Sequence, residues 1–331
     1  MSVHPSHSRN TRSGPIICAG EALIDLIATP ANTWSEIDYF LPRIGGAPAN
    51  TSVAIRRLGG QSAFLGSLAN DQPGVWIRER LTDEGVDLSR MMFTDHGQTR
   101  LATVTGPIDH RDFVFYGAPA ADTLLTPDHV RNVTLQDASA IIIGSLLLLS
   151  EPGRSAILKL LGIADEFAIP ITFDPNPRPQ SWPDPEQARE CLLPFVRQAR
   201  ILKLGAEEPE ILGMTIEELR TEQPLGGVLI LTDGANGCWY WYGDDRSRVV
   251  PPFSVDAVDS TGAGDAFTAA ITLRSVERDG RIEFEDVRFA SAVGALTTTR
   301  QGAMDALPYR SSVDALLSKA NPEGQKDAIG E

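Results

Sequence analysis

The chain of 331 residues is short of positive charge: 29 Lys and Arg stand against 44 Asp and Glu, a formal net charge of −15. A nucleic-acid or anionic-membrane binder needs a basic face, so neither partner is expected. Cysteine is scarce as well. Cys18, Cys191 and Cys238 lie far apart and form no C-x-x-C pair. Neither a disulfide framework nor a structural zinc site follows, and the thiols read as reduced and buried in a cytoplasmic protein. Long apolar runs are missing. The most apolar stretch, "ASAIIIGSLLLLS", is too short to span a bilayer and reads as a buried strand with its exit loop. "IICAGEALIDLIA" is interrupted by Glu21 and Asp25, which rules it out as a signal-peptide core. No Gly-Lys dipeptide occurs, which removes a P-loop, and no H-E-x-x-H or G-x-S-x-G pattern occurs either.

What remains is a 42% hydrophobic chain, ample for a substantial core. "PIICAG", "SAFLGSLA", "DASAIIIGS", "IPITFDPN", "RILKLG" and "GVLILTDG" are short apolar strands, and helical stretches near 49–59, 153–166 and 186–198 alternate with them. That rhythm is the signature of parallel βαβ units, with ligands expected at the carboxyl ends of the strands. Residues 33–46 and 99–118 alternate apolar and polar residues and read as half-exposed antiparallel strands. They form either a small lid over the sheet or a plain β-extension. Long helices are expected near 262–276 and 284–299, and a short one near 312–319. The aromatic run Trp239–Tyr242 reads as packing between strands. Residues 1–14 read as a disordered tail, 15–320 as a single α/β domain and 321–331 as a polar tail.

Several stretches carry chemistry. In "DSTGAGDAF", Gly262, Ala263 and Gly264 precede an alanine-rich helix. N–H groups at a helix start have no intrahelical acceptor, so they suit an anion, and the peptide dipoles supply positive potential without lysine. Asp265 would repel a phosphate there, but it suits a general base facing an incoming hydroxyl; the plain alternative is a capping acid. In "GGAPAN", Gly45 and Gly46 permit close backbone approach and Asn50 offers a donor and an acceptor to a polyhydroxyl ligand; an ordinary Asn-capped loop is the alternative. Asp25 suits two vicinal hydroxyls. In "FDPNPRP", Asp174, Asn176 and Arg178 follow a strand directly; Asp174 and Asn176 are candidates for binding the sugar, and Arg178 has the reach for a transferring phosphoryl group.

Taken together, the order GE…D, GGAPAN, DPNxR, KLxxEE, TxGxxG, DSTGAGDAF, TRxGA resembles the ribokinase-like (PfkB) carbohydrate kinases, and is most similar to their fructokinase branch, over about residues 16–318. The resemblance implies a doubly wound, mostly parallel sheet flanked by helices, with a small discontinuous β-sheet lid from about 30–46 and 97–118. It implies ATP-dependent transfer to a sugar hydroxyl, with 2-keto-3-deoxygluconate as the alternative to fructose and a catalytically inactive regulatory relative as the remote one. Carried over, Asp265 is the base and Gly262, Ala263 and Gly264 form the anion hole. Asp25, Gly45, Gly46 and Asn50 match sugar-binding positions. Lys203, Thr232, Gly234, Gly237, Gly302 and Ala303 match the nucleotide side. Glu208 matches a glutamate that organises Mg²⁺ through water, and Asp259, Thr261, Arg300 and Gly302 match a K⁺ site. A homodimer through the lid is a further implication. Gly205 stands where relatives of this type carry Asn, and Gly117 where many fructokinase-like chains carry Arg.

Overall fold

The structure is a computed structural model that describes residues 12–29, 33–106, 112–177, 181–182, 184–242 and 248–320. Fourteen strands occur among them: β1 (Ile16–Ala19), β2 (Leu23–Ala28), β3 (Phe40–Gly45), β4 (Ser62–Leu65), β5 (Ser67–Ala69), β6 (Met92–Thr94), β7 (Leu101–Thr105), β8 (Asp112–Tyr116), β9 (Ala140–Ile143), β10 (Ile171–Phe173), β11 (Ala199–Gly205), β12 (Val228–Thr232), β13 (Cys238–Tyr242) and β14 (Arg248–Val250). Eight build the main sheet in the order β14-β13-β12-β11-β10-β9-β1-β4. The pairs from β4 to β12 are parallel, and β13 and β14 close one edge antiparallel.

Both faces of this sheet are covered, which is why its strands read as unbroken apolar runs. Side chains alternate along a strand, so Ile16 and Cys18 enter one buried cluster while Ile17 and Ala19 enter the other. The first cluster packs against the helices Ala47–Arg57, Ala263–Glu277 and Phe284–Thr297; the second packs against Gly153–Glu166 and Pro185–Val196. The helix Ala263–Glu277 is buried along its length, from Asp265 through Leu273, with no solvent face until its last turns.

A smaller sheet has the order β3-β2-β7-β8. Here the structure departs from the sequence reading. The segment after β1, which is given no strand in that reading, is β2, the strand on which β3 and β7 both pair. Of residues 33–46, only Phe40–Gly45 is strand; Trp34–Glu36 is a short helical turn whose Glu36 carboxylate accepts from the Thr33 N–H. "SAFLGSLA" is two strands rather than one. The chain turns at Gly66, where a Cβ would stand 2.4 Å from the Gly20 carbonyl oxygen, and β5 leaves the main sheet to pair with β6.

The chain passes between the main body and the smaller sheet at Gly20, Gly46, Gly97 and Gly117, and each of these has positive φ. In the aromatic run, Tyr240 is buried and Trp239, Trp241 and Tyr242 are half-buried on β13, in keeping with a packing role. Of the expected N-terminal tail, residues 12–14 are described, and the Arg12 guanidinium donates to the Gln136 carbonyl at 2.9 Å. Residues 1–11 and 321–331 lie outside the described residues. Among the described residues no helix is long and apolar enough to cross a membrane.

Candidate active site

Parallel strands leave their exposed peptide ends and following loops on one edge, and ligands collect there. In this chain that edge holds a cleft of about 450 Å³. Gly144 after β9, Pro175 and Asn176 after β10, Lys203 on β11 and Glu208 beyond it line one wall. Asp25 on β2 and Phe113 and Phe115 on β8 line the wall that belongs to the smaller sheet. Along β8 the sequence Asp-Phe-Val-Phe-Tyr alternates, so Phe113 and Phe115 are half-buried while Asp112, Val114 and Tyr116 are exposed.

The helix Ala263–Glu277 aims its first turn into the cleft. Gly262 caps it with φ 81, a left-handed conformation that strains any residue with a Cβ. A Cβ on Gly262 would also lie 2.9 Å from Ala303 Cα, so the turn is pressed against the loop that opens the helix Ala303–Ala306. The Ala263 N–H donates to the Ser260 carbonyl at 3.2 Å, whereas those of Gly262 and Gly264 reach no carbonyl among the described residues. Of the three N–H groups, those of the two glycines are therefore the ones open to a ligand; that of Ala263 is occupied. Asp265 follows at 8% exposure, and the Asn50 side-chain amide donates to its Oδ2 at 2.8 Å. Asn50 stands in the first helical turn after Gly46, with its Oδ1 lacking a hydrogen-bond partner.

Lysine enters this turn from another strand. Lys203, carried over from the resemblance as a nucleotide-side residue, sits so close that a Cβ on Gly264 would lie 3.0 Å from its ammonium. The ammonium also pairs with Asp174, 3.3 Å from Oδ2. Burial opposes the charge on Lys203, but Asp174, Glu208 and Asp265 outweigh it and hold its pKa above the ordinary lysine value. Asp174, expected at the sugar, does not face the cleft. It is buried at 7% exposure, and Thr268 Oγ1 donates to its Oδ2 at 2.5 Å. Its place is beneath Lys203. Glu208 is buried, with Oε2 lacking a hydrogen-bond partner. Burial raises its pKa to about 7, against the opposing pull of Lys203 and with Asp174 adding to the rise.

On the wall formed by the smaller sheet, a Cβ on Gly45 would meet Asp25 Oδ2 at 2.0 Å, so that glycine makes room for the carboxylate. Gly46 and Asn176 line the cleft, and Asn176 has φ 41. Arg178 lies outside the described residues. On the far side, Thr232 ends β12 with its hydroxyl donating to Leu204 O at 3.3 Å, and Gly234 and Gly237 form the turn to β13. Gly302 caps the helix in which Ala303 is the first residue. Asp259 ties this corner together: Oδ1 accepts from the Thr261 N–H and hydroxyl at 3.1 and 2.7 Å, and Oδ2 from the Gly302 N–H at 3.0 Å. It is 1% exposed and no cationic side chain pairs with it among the described residues, while Arg300 is exposed.

The sequence reading missed Glu21, which lines the cleft and accepts from the Ala47 N–H at 3.1 Å. Burial raises its pKa to about 8, partly offset by backbone N–H groups and reinforced by Asp122 and Asp265. The signal was available: a carboxylate between two apolar strands has to face something polar. Phe113 and Phe115 were visible as alternation, but a period-two pattern does not say which face covers a ligand.

The pfkB family carbohydrate kinase pattern matches residues 15–310. Fructokinase-1 of Zea mays is 39% identical over 317 residues, covering 92% of this chain and 98% of that protein. The fructokinase of Xylella fastidiosa with bound ATP superposes with a TM-score of 0.83 at 31% identity, covering 93% of this chain and 99% of that one. The fructokinase of Vibrio cholerae O395, solved with fructose, ADP and calcium ion, superposes with a TM-score of 0.80 at 29% identity over 92% and 99% of the two chains. Together with the buried Asn50–Asp265 pair at a glycine-capped helix start, these likenesses place the chain in the pfkB family of carbohydrate kinases.

Proposed function

We propose that the chain is an ATP-dependent fructokinase, converting D-fructose and ATP to fructose 6-phosphate and ADP. The observation that carries this reading is the Asn50–Asp265 hydrogen bond at the mouth of a glycine-capped turn suited to an anion, in a chain similar to the fructokinases of Zea mays and Xylella fastidiosa. Asp265 accepts the proton of the attacking hydroxyl while Asn50 holds its carboxylate in place. The N–H groups of Gly262 and Gly264 and the Lys203 ammonium face the charge that spreads over the migrating phosphoryl group. Asp174, anchored by Thr268, fixes Lys203 in that position.

Asp25, Gly45, Gly46, Asn50 and Asn176 form the sugar side, and Thr232, Gly234, Gly237, Gly302 and Ala303 the nucleotide side. The smaller sheet acts as a lid, with Phe113 and Phe115 excluding water from the reacting groups. The unpartnered Glu208 Oε2 suits a water of a bound Mg²⁺, which supplies neutralisation of phosphate charge. Asp259, a buried carboxylate without a cationic partner, suits a K⁺ ion held with Thr261, Arg300 and Gly302 largely through backbone carbonyls. The exposed Val114 and Tyr116 on β8 give the lid an apolar outer face for a second copy, and the protein works in the cytoplasm.

The test is ATP consumption by the purified chain with Mg²⁺ and K⁺ against fructose, ribose, 2-keto-3-deoxygluconate, an inositol and a nucleoside. Dominant turnover with fructose is expected. Preference for another compound would overturn the substrate, and silence with all five would overturn the activity.

A further inference from the structure

A second cleft, of about 770 Å³, lies at the opposite end of the same strands. Its floor is made by the first residues of β9, β10 and β11 and by the last turns of the helix Ala263–Glu277. The active-site cleft sits at the carboxyl ends of these strands, and the second cleft at their amino ends.

Its lining is cationic in a chain that is otherwise strongly acidic. Arg12, Arg200, Arg278 and Arg281 face it. Arg278 is neutralised by Glu283 at 2.7 Å and Asp286 at 3.0 Å. Arg12, Arg200 and Arg281 have no carboxylate partner among the described residues; Arg12 donates to the Gln136, Ala138 and Phe167 carbonyls, and Arg200 to the Gly280 carbonyl at 3.2 Å and the Tyr242 hydroxyl at 3.5 Å. Asp279 is the acid left on the rim. In a protein of net charge −15, four guanidinium groups facing two lining acids, Asp279 and Glu283, leave the cavity locally positive, a setting that suits a bound anion.

Hydroxyl groups complete the floor. Ser139 is 5% exposed and lines the cleft, and its Oγ has no hydrogen-bond partner. Such orphaned groups are uncommon in folded proteins and call for a partner. Thr172 and Thr272 lie beside it, bonded to each other at 2.9 Å. The protons of Thr172 and Thr272 are used between them and on the Thr268 carbonyl, which leaves the Ser139 hydroxyl as the donor beside the guanidinium forks; that set matches the oxygens of a phosphate dianion, and the volume has room for more than the bare ion.

We propose that this cleft binds phosphate-bearing metabolites of the size of a sugar phosphate, at a site separate from the catalytic one. Its chemistry is independent of which sugar the first cleft phosphorylates.

The experiment is calorimetric titration of the full chain with glucose 6-phosphate and with inorganic phosphate, at constant chloride concentration. Saturable binding of glucose 6-phosphate is expected. Its affinity should fall about tenfold in Arg281→Gln and in Arg200→Gln, the order of one charge-assisted hydrogen bond. Asn50→Ala, in the first cleft, should leave that affinity unchanged, and Arg281→Gln should keep its kinase turnover. Arg281 is exposed, so its removal does not endanger folding. Inorganic phosphate binding as tightly as the ester, with the same loss in Arg281→Gln, supports the site with the ion itself as occupant. Absence of saturable binding of either probe, or loss of binding in Asn50→Ala but not in Arg281→Gln, overturns the proposal.

Discussion

Asn50 and Asp265, separated by 215 positions in the chain, meet through a 2.8 Å hydrogen bond from the amide to Oδ2. One opens the helix that leaves the smaller sheet, and the other sits in the first turn of the helix that underlies the anion-binding turn. The contact therefore joins the proposed sugar side of the cleft to the proposed phosphoryl side. Replacing Asp265 with Ala removes the base and leaves Gly262 and Gly264 in place. Turnover is expected to fall by about 10²–10⁴-fold, with ATP binding retained by equilibrium titration. Activity within a few-fold of the parent would rule out the base assignment.

Lys203 is paired with Asp174 and lies against Gly264, so its substitution tests a structural and a proposed chemical role together. Lys203→Met leaves Asp174 and the neighbouring Glu208 without their buried cation. Breaking such a pair from one side costs about 3–5 kcal/mol, to be read by urea unfolding. Lys203→Met with Asp174→Asn should regain part of that stability but none of the turnover. Full recovery of turnover in the double variant would show that Lys203 does not act at the phosphoryl group.

Gly262→Ala tests the turn itself. The residue would carry a Cβ at φ 81 and press it within 2.9 Å of Ala303. Strain of about 1–2 kcal/mol from the left-handed backbone adds to that clash. A lower Tm and a lower kcat are both expected, since the same turn supplies the anion donors. An unchanged Tm would mean that the 302–303 loop yields freely.

Glu21 and Glu208 link stability to pH. Their pKa values are raised in the folded chain to about 8 and about 7, from 4.5. Between 4.5 and those values the folded chain holds protons that the unfolded chain has released. Stability due to these groups is thus fully present below pH 4.5 and is lost as pH rises, by up to about 1.4 kcal/mol per unit for each group. Glu21→Gln should flatten the fall between pH 5 and 8, followed by chemical unfolding at fixed ionic strength. An identical slope in the variant would show that Glu21 is ionised in the native chain.

Asp259 should decide the response to cations. Asp259→Ala leaves the buried Gly302 N–H without its acceptor, at a cost of about 1–3 kcal/mol. The parent chain is expected to run faster in K⁺ than in a large organic cation, and the variant to lose that difference. Equal rates for the parent chain in the two salts would exclude the cation site.

The parallel strands of the main sheet were legible because each is mostly apolar and runs up to a Gly or Asp, as "PIICAG" and "GVLILTDG" do, whereas the antiparallel edge strands β13 and β14 lack that pattern. The helix start at Gly262–Asp265 was legible from residue types alone. Two features were hidden for reasons that no local pattern holds. β2 reads like a continuation of β1, because "LIDLIA" is nearly as apolar as "IICA"; only its pairing with β3 and β7 assigns it to the other sheet. Asp174 looked like a ligand contact because it follows a strand directly. Its burial under Lys203 depends on Thr268, 94 residues away in sequence.

The four crossings between the main body and the smaller sheet, at Gly20, Gly46, Gly97 and Gly117, share one property: each peptide adopts a φ that side chains resist. Side chains tie the same joint: Arg43 on β3 stands 3.5 Å from Asp305, and the Arg100 guanidinium beside β7 pairs with the buried Asp122 at 2.8 Å. A substitution at any of the four glycines has to strain the backbone against these pairs. Phe113 and Phe115 thus owe their place on the cleft wall to residues outside their own strand.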